Sequence, residues 1–395
     1  MNINVGRASA IACGFVALLL VLVTFSWGRV ASPLHLSRSS LESSGDGNLD
    51  NVLNATLGFQ KIFAINLPLR TDHRDQMSLA AHFTDLHVEY VEGVTEVDRR
   101  TLPPGGDPKQ KIGVLGCWRA HLNVMRMIVE QNISTAWVLE DDSDWDIRIK
   151  SQMQVFAKAS RLLLQPVPGT PNRMLDPTYS LPGEADIAQN SDIAKKVAGI
   201  PTTSPYGDID KWDLLWLGHC GARFPSAGDE MPLGRVVIFN DETVPERQHI
   251  DEQFGDKRLV QEHPDQKGNV CTLAYAVSLP GARRILYELG MHKMDAEYDI
   301  MLRAMCEGKG GRRMRTCLTV QPMLFEHHRP IAAKSSFTNV GTPDAKDEVG
   351  YTETVFTRNI RWSTRVNFPK LIDGETSNYT DLFRDGEPTP ELMSP

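Results

Sequence analysis

The chain has 395 residues and a formal net charge of −8, because 50 acidic side chains outnumber 42 basic ones. This balance argues against a bulk nucleic-acid binder, which would present a basic face to the phosphates. Hydrophobic residues at 41% and charged residues at 23% are ordinary for a globular protein, so wholesale disorder is excluded, and the length suits one large domain or two smaller ones.

The first predicted element is an apolar segment without a charged residue, residues 8–27. Its length corresponds to roughly 30 Å of helix, enough to span a bilayer, whereas the apolar core of a cleaved signal peptide has about 7–15 residues. We therefore predict an uncleaved signal-anchor that follows a cytoplasmic tail at residues 1–7, with Val30-Ala31-Ser32 as the alternative, a cleavage site. Residues 28–58 are polar and small, which predicts a flexible stem.

Two further features concern the compartment of the body. Asn-X-Ser/Thr sequons begin at Asn54, Asn132 and Asn378, and they add modest support for a lumenal location because such sequons also arise by chance. Five cysteines follow the apolar segment. An odd number leaves at least one thiol free or paired between chains, and the spacing does not give the connectivity.

A strand–helix–strand pattern opens the body of the chain. Residues 61–67 form an apolar run that ends at Pro68, and residues 87–91 alternate like a second strand. A helical pattern follows from Gly116, with apolar residues at spacings of four, three and four, and residues 135–139 then read as a buried strand. This order predicts an α/β domain with a mainly parallel sheet.

The remaining elements come in this order. Residues 165–212 contain seven prolines and predict a long surface insertion. Beyond it, apolar runs and capping residues predict three strands and two helices: strands at 213–218, 272–277 and 316–324, and helices at 280–289 and 300–306. Residues 336–395 are polar and punctuated by Pro and Gly, which indicates a C-terminal extension.

Three consecutive carboxylates, Glu140, Asp141 and Asp142, directly follow the buried strand at 135–139. Their mutual repulsion would be relieved by a divalent cation, and hard oxygen ligands suit Mg²⁺ or Mn²⁺. In an extended stretch Glu140 and Asp142 point the same way, so both can face one metal. The alternative is a solvated turn with one carboxylate capping the next helix. Asp144 and Asp146 are expected at the solvated surface.

Two other motifs are candidates for ligand binding. Arg70 and Arg74 follow the first strand four residues apart, and at the start of a helix they would share a face suited to phosphate, unless they are simply exposed. Cys117 and His121 have the same spacing on the predicted helix. Because no second Cys or His pair lies at zinc spacing, a histidine packed in the helix core is the favoured interpretation.

Late in the chain, Asp295, Glu297 and Asp299 precede a helical segment, where each could be a general base or a helix-capping acid. His327 and His328 follow the last predicted strand. A late histidine can complete a metal site begun by upstream carboxylates, and His327 is the candidate, although adjacent histidines are more often at the surface.

The ordered set of motifs resembles glycosyltransferase family 25, which includes bacterial lipooligosaccharide and animal collagen galactosyltransferases, and the chain looks like a fungal-type membrane-anchored member. The matching stretches span about residues 60 to 325: Ile65-Asn66-Leu67 with Arg70, Asp72 and Arg74, Gly113 through His121, Leu139 through Asp142, Trp212 through Gly218, Tyr275 through Ser278, Gly281 through Leu286, Asp299 with Leu302, and Pro322. Ala120, where the family commonly has Ser, and the Pro-rich insertion depart from the pattern.

The resemblance implies an enzyme, a hexosyltransferase with a GT-A fold at residues 59–335, in which a Rossmann-like, mainly parallel sheet is flanked by helices. It implies transfer of galactose from UDP-galactose to a glycan or glycoprotein acceptor, often with Mn²⁺, and with inversion at the anomeric carbon. With the N-terminal transmembrane helix it places the catalytic domain in the lumen, as a single-pass type II protein of the Golgi or ER membrane. A metal-dependent phosphate or glycoside hydrolase, and a non-catalytic carbohydrate-binding protein, are the alternatives.

Motifs and chemistry together give three sets of candidate site residues. Catalytic bases are Asp299 first and Asp295 second, because inverting transfer needs one group to accept the proton of the acceptor hydroxyl. Metal ligands are Glu140, Asp142 and His327. Donor binding is assigned to Asn66, Leu67, Arg70, Arg74, Gly116, His121 and Asp141.

Overall fold

The computed structural model describes residues 46–170, 190–192, 198–222, 235–246, 249, 257–262, 269–339 and 350–388. The predicted membrane anchor at residues 8–27 and most of the predicted stem lie outside the described residues. Within the described part of the chain, none of the helices is both long enough and apolar enough to cross a membrane. All the described residues belong to one compact unit, Ser43–Pro395.

The strands are short and fall along the whole of this unit. They are β1 (Lys61–Asn66), β2 (Glu89–Glu92), β3 (Thr135–Glu140), β4 (Ser143–Trp145), β5 (Asn190–Asp192), β6 (Leu214–Gly218), β7 (Arg235–Phe239), β8 (Lys257–Glu262), β9 (Ala274–Ser278), β10 (Cys317–Gln321), β11 (Phe325–Arg329), β12 (Ala332–Ala333), β13 (Tyr351–Thr352) and β14 (Phe356–Thr357).

The helices lie between these strands. They are α1 (Gly47–Asp50), α2 (Thr71–Phe83), α3 (Ile112–Glu130), α4 (Ile149–Leu164), α5 (Leu279–Tyr287), α6 (Tyr298–Glu307) and α7 (Phe368–Ile372). A π-helical turn, Glu288–His292, extends α5, and 3₁₀ turns occupy Asn51–Leu53, Arg99–Thr101 and Lys334–Ser336.

Twelve of the described strands form one large sheet, which has the order β2-β1-β3-β9-β6-β10-β8-β7-β5 and in which β11 also pairs with β4, β6 and β14, whereas β12 and β13 pair separately. β1 pairs in parallel with β2 and β3, and β10 pairs in parallel with β6, whereas β9 runs antiparallel between β3 and β6. The end of β3 therefore lies beside the start of β9, with Leu139 opposite Ala274. This topology brings the residues after β1 and β3 and those before β9 to the same edge of the sheet.

Helices cover both faces of the sheet, as an α/β fold requires. Alternate residues of β3 point to opposite faces, so Trp137 packs in one apolar cluster and Val138 in the other. The first cluster includes residues of α2 and α4, and the second includes residues of α3, α5 and α6. The predicted α/β class, with a sheet flanked by helices, is confirmed.

Most of the predicted elements are present, with shifted ends. The helix predicted from Gly116 begins four residues earlier, and its Trp118, Leu122 and Met125 are buried. Helix α4 was not predicted. Residues 198–212, which the sequence assigns to a surface insertion, pack against the core instead, and Tyr206 is fully buried and stacks on Phe59 at 4.6 Å.

The described cysteines form two disulfides and leave one free thiol, which agrees with the odd count. Cys220 pairs with Cys271, and Cys306 pairs with Cys317. The first disulfide links the residues after β6 to those before β9, next to the sheet edge defined above. Cys117 is the free cysteine among the described residues.

Candidate active site

A cleft of about 380 Å³ opens at the edge of the sheet where β1 and β3 end and β9 begins. Eight of the predicted site residues line it: Leu67, Gly116, His121, Glu140, Asp141, Asp142, Asp299 and His327. Two more, Asn66 and Arg70, contact lining residues. The structure thus brings together side chains that are up to 260 residues apart in the chain.

Asp141 is held at both oxygens. Its Oδ2 accepts a hydrogen bond from Asn66 Nδ2 at 2.7 Å, and its Oδ1 accepts one from His73 Nδ1 at 2.8 Å. Both partners are buried, Asn66 at the end of β1 and His73 in the first turn of α2. Asp141 is therefore fixed in place, and His73 is a site residue that the sequence analysis did not assign.

The two arginines after β1, Arg70 and Arg74, have different surroundings. The Arg70 guanidinium donates to both carboxylate oxygens of Asp72 and to Asn339 Oδ1, and it touches the ring of His73. The bonds from Arg70 lower the pKa of Asp72 to about 2, although partial burial opposes this. Arg74 is exposed and lies 4.0 Å from the centre of the Tyr90 ring. It does not line the cleft, contrary to the expected shared face.

Asp142 faces the cleft with few close polar contacts. Among the described residues its carboxylate has two basic side chains within 4 Å, with His327 Nε2 at 3.8 Å and an Arg329 nitrogen at 3.9 Å. Burial alone would lower the pKa of His327, but the charges of Asp142 and Glu326 outweigh it and raise that pKa. Carboxylate oxygens are ligands that Mg²⁺ and Mn²⁺ accept, so this corner of the cleft fits a divalent cation.

Glu140 turns to the other side of the cleft. Its Oε1 accepts a hydrogen bond from Thr272 Oγ1 at 2.6 Å and lies 3.3 Å from His121 Nε2. The three predicted metal ligands are therefore divided, with Glu140 beside His121 and with Asp142 beside His327. Among the described residues, one group of three lies within metal-binding distance, and it comprises Cys117, His121 and Glu140.

His121 is buried on the cleft face of α3. Its Nδ1 lies 2.9 Å from the hydroxyl of Tyr275, and its ring stacks on Tyr298 at 4.6 Å. Burial, together with the nearby carboxylates of Glu140 and Asp299, raises the pKa of the Cys117 thiol. Gly116 directly precedes Cys117. A Cβ added to Gly116 would lie 2.2 Å from the Val94 carbonyl oxygen, so only glycine lets α3 come this close to that carbonyl.

The two candidate bases differ in their surroundings. Asp299 lies in the first turn of α6 and lines the cleft, and its Oδ2 accepts a hydrogen bond from the Cys271 amide at 2.8 Å. Asp295 does not line the cleft. It pairs with Arg312 at 2.6 Å and Lys293 at 2.8 Å, and the hydrogen bond from Arg312 lowers its pKa to about 2. Such a carboxylate is a poor proton acceptor.

The expectation that Asp144 and Asp146 lie at the solvated surface is wrong. Both are buried behind the acidic turn, with 0% and 1% of their surface exposed. Asp144 accepts hydrogen bonds from the hydroxyls of Thr357 and Ser363, and from the amide of Arg365. These partners come from the region predicted as a C-terminal extension, more than 200 residues further along the chain.

The same region supports the acidic turn from behind. The buried side chain of Arg365 donates through Nη2 to the carbonyl oxygen of Asp141 at 2.9 Å. His328 is buried as well, with Nδ1 at 2.9 Å from Thr357 Oγ1, so it belongs to this network and not to the surface. The position of the cleft carboxylates therefore depends on residues 356–367.

Comparison with known proteins points to one group of enzymes, although no protein-family model matches the chain. Procollagen galactosyltransferase 1-B of Xenopus laevis is 30% identical over 252 residues, which cover 60% of this chain and 30% of that protein. Procollagen galactosyltransferase 2 of Mus musculus is 28% identical over 111 residues, 25% of this chain and 18% of that protein. The chain thus spans less than a third of the length of these curated relatives, and what it resembles there are glycosyltransferases.

Proposed function

We propose that this chain is a glycosyltransferase that moves galactose from a UDP-sugar to a glycan or glycoprotein acceptor, on a fold of the GT-A type, with Mn²⁺ or Mg²⁺ and with inversion at the anomeric carbon. The observation that carries the proposal is the meeting of Asp142, His327 and Asp299 in one cleft at the end of a parallel strand pair. Ligands bind at this edge of open α/β sheets. The similarity to procollagen galactosyltransferases supports it.

The donor-binding role falls to the wall between β1 and α3. Leu67 and Gly116 line this wall, and Asn66 and His73 hold Asp141 in position beside it. Arg70 is the cation at this end of the cleft, with 12% of its side chain exposed. We expect it to form charge-assisted hydrogen bonds to a donor phosphate. His121 belongs to the same wall, whereas Arg74 lies over the Tyr90 ring outside the cleft lining and has no part in this proposal.

The cation would be held by Asp142 and His327, whereas Glu140, the third ligand that the sequence predicts, faces His121 on the other side of the cleft. When bound, it supplies Lewis-acid stabilisation of the negative charge on the departing diphosphate. Asp142 is free to bind it because the described residues offer this carboxylate no hydrogen bond. Asp141, whose oxygens are both occupied, orients the turn.

Asp299 is the proposed base. Its carboxylate would accept the proton of the acceptor hydroxyl while the acceptor oxygen forms a bond to the anomeric carbon and the bond to the diphosphate breaks. The hydrogen bond from the Cys271 amide fixes its orientation. Asp295 is the second candidate, and its ion pairs with Arg312 and Lys293 argue against it.

A panel of nucleotide-sugars, measured by thermal shift with and without Mn²⁺, tests the proposal. A ligand that binds only the folded state stabilises it by mass action. UDP-galactose should raise the melting temperature when Mn²⁺ is present, and a panel without any effect would contradict the proposal. Hydrolysis of the donor at the same rate without an acceptor would indicate a hydrolase, and glycan binding without nucleotide-sugar binding would indicate a non-catalytic protein.

We further propose that residues 8–27 remain attached and place the body in the lumen of the ER or Golgi. Two disulfides support a non-reducing compartment. Asn54 and Asn378, which begin two of the sequons, are exposed and therefore accessible for N-glycosylation. Glycosidase treatment of the native protein should remove glycan from one of these two residues. A mature N-terminus near Ser32 would contradict the anchor, and unmodified sequons together with a cytoplasmic body would contradict the lumenal location.

A further inference from the structure

The cleft contains a second cluster of metal-binding side chains, on the side away from Asp142. Cys117, His121 and Glu140 each offer one ligand atom, and these three atoms lie within 4.8 Å of one another. Cys117 and His121 are four residues apart on α3 and share a face, while Glu140 ends β3. The cluster is thus built on two packed elements of regular structure.

The distances fit a tetrahedral metal. Nitrogen and oxygen ligands about 2.05 Å from a tetrahedral Zn²⁺ lie about 3.3 Å apart. His121 Nε2 and Glu140 Oε1 are 3.3 Å apart. A sulfur ligand at about 2.3 Å would lie about 3.6 Å from either of them, and Cys117 Sγ lies within 4.8 Å of both.

The partners around the cluster also favour a metal. A histidine ligand usually donates its other ring N–H to a polar partner, and the Tyr275 hydroxyl lies 2.9 Å from His121 Nδ1. Tyr275 in turn lies 3.2 Å from the Tyr298 hydroxyl, so it can donate its own proton there and accept from His121. In this arrangement the lone pair of His121 Nε2 faces the Glu140 carboxylate, which Thr272 orients. Two facing acceptors are satisfied by a cation between them, either a proton or a metal ion.

From this geometry we propose that Cys117, His121 and Glu140 form a Zn²⁺ site with one coordination position open to the cleft. A thiolate with an imidazole selects Zn²⁺ over Mg²⁺ or Mn²⁺. Three protein ligands and one open position are typical of zinc sites that bind a water or a substrate atom. On binding, the Cys117 thiol loses its proton to solvent and the sulfur bonds to the metal. The site does not depend on the proposed transferase activity.

Metal titration of the untagged full chain, stripped with a chelator, tests this site. We expect one Zn²⁺ to bind in competition with a chromophoric chelator, and Co²⁺ to give a thiolate-to-cobalt charge-transfer band with the visible absorption of a tetrahedral ion. Cys117→Ala should lower the Zn²⁺ affinity by about 100-fold or more, since even residues that only hydrogen-bond to a metal ligand are worth about 10- to 100-fold. Tyr275→Phe should lower it by about 10-fold or more for that reason.

Asp142→Asn is the matched control, because it removes a carboxylate of the same cleft that is not part of the cluster. It should leave Zn²⁺ affinity and the cobalt spectrum unchanged, whether or not it abolishes transfer. A native chain that binds no Zn²⁺ in the chelator competition, or a cobalt spectrum without the thiolate band, would overturn the proposal. Equal Zn²⁺ affinity in the native chain and in folded Cys117→Ala would overturn it as well.

Discussion

Asp142 in the acidic turn and Asp144 in β4 are two residues apart, and their surroundings are opposite. Asp144 is fully buried and accepts hydrogen bonds from two hydroxyls and a backbone amide. Asp142 faces the cleft, and the basic side chains paired with its carboxylate among the described residues lie 3.8 and 3.9 Å away. A carboxylate whose oxygens are already bonded contributes to stability, whereas one without close partners is available to a ligand. We therefore expect Asp144 to contribute to stability and Asp142 to contribute to ligand binding.

Asp142→Asn should have the largest effect on activity. A neutral amide replaces a charged oxygen ligand, so we expect Mn²⁺ affinity and galactose transfer at limiting Mn²⁺ to fall by about 10³-fold, comparable to the loss of a key electrostatic contact. The free energy of unfolding should change by less than about 0.5 kcal/mol, as for residues outside packed networks. Transfer assays and urea denaturation measure both, and full activity at limiting Mn²⁺ would remove Asp142 from the metal site.

Asp299→Asn should reduce the chemical rate by about 10²- to 10⁴-fold, because a general base contributes that much. Donor and metal binding should remain nearly unchanged. If Asp299 only supports the start of α6, Asn is nearly as good and little activity is lost.

Asp295→Asn is the control for this comparison, since Asp295 lies in an ion pair outside the cleft-lining residues. It should keep near-normal turnover. Single-turnover rates of both variants decide the assignment: a dead Asp295→Asn beside an active Asp299→Asn would move the base to Asp295, and two active variants would exclude both residues.

Asp144→Ala should act on stability. The substitution leaves the hydroxyls of Thr357 and Ser363 and the backbone amide of Arg365 without their buried acceptor, and each buried donor left unsatisfied costs about 1–3 kcal/mol. Denaturant unfolding should show that the free energy of unfolding falls by at least this amount in Asp144→Ala, whereas it should hardly change in Asp142→Asn. An equal, small loss in both variants would contradict the contrast between the two carboxylates.

The smallest expected effect is that of pH on the free energy of unfolding, through His219. Burial lowers the pKa of His219, although the Val320 carbonyl and the charge of Glu326 oppose it. The unfolded chain then binds a proton near pH 6.5, before the folded protein does, so this histidine's contribution is complete above about pH 6.5 and is lost as the pH falls towards the folded pKa. The free energy of unfolding should decline from about pH 7.5 to about pH 5.5. A His219→Gln variant with the same decline would contradict this assignment.

The sequence predicted β1, β2, β3, β6, β9 and β10 because their signals are local, but it did not predict β4, β5, β7, β8 and β11. Apolar runs of five or six residues marked β1, β3 and β6, and the acidic turn was expected where a buried strand ends. Helix α4 had a signal too, since Ile149, Met153 and Phe156 recur at helical spacing and are buried, but it was not recognised ahead of the Pro-rich stretch.

The rest of the site depends on contacts between distant residues. Ser363 and Asp144 are 219 residues apart, and no local pattern could show that a polar C-terminal segment would bury the carboxylate. The third member of the Cys117 and His121 cluster is likewise not local, because Glu140 comes from a neighbouring strand and not from a second pair at zinc spacing along the chain. Asp141 differs from its two acidic neighbours only through its contacts with Asn66 and His73, which no local pattern predicts.

The central claim is that the cleft binds a nucleoside-diphosphate sugar through a metal at Asp142. Isothermal titration of UDP into the native chain, with and without Mn²⁺, and into Asp142→Asn tests it most directly. We predict that UDP binds the native chain in the presence of Mn²⁺, and that most of the affinity is lost without Mn²⁺ or in the variant. Absence of UDP binding, or UDP binding that is indifferent to both Mn²⁺ and Asp142→Asn, would contradict it.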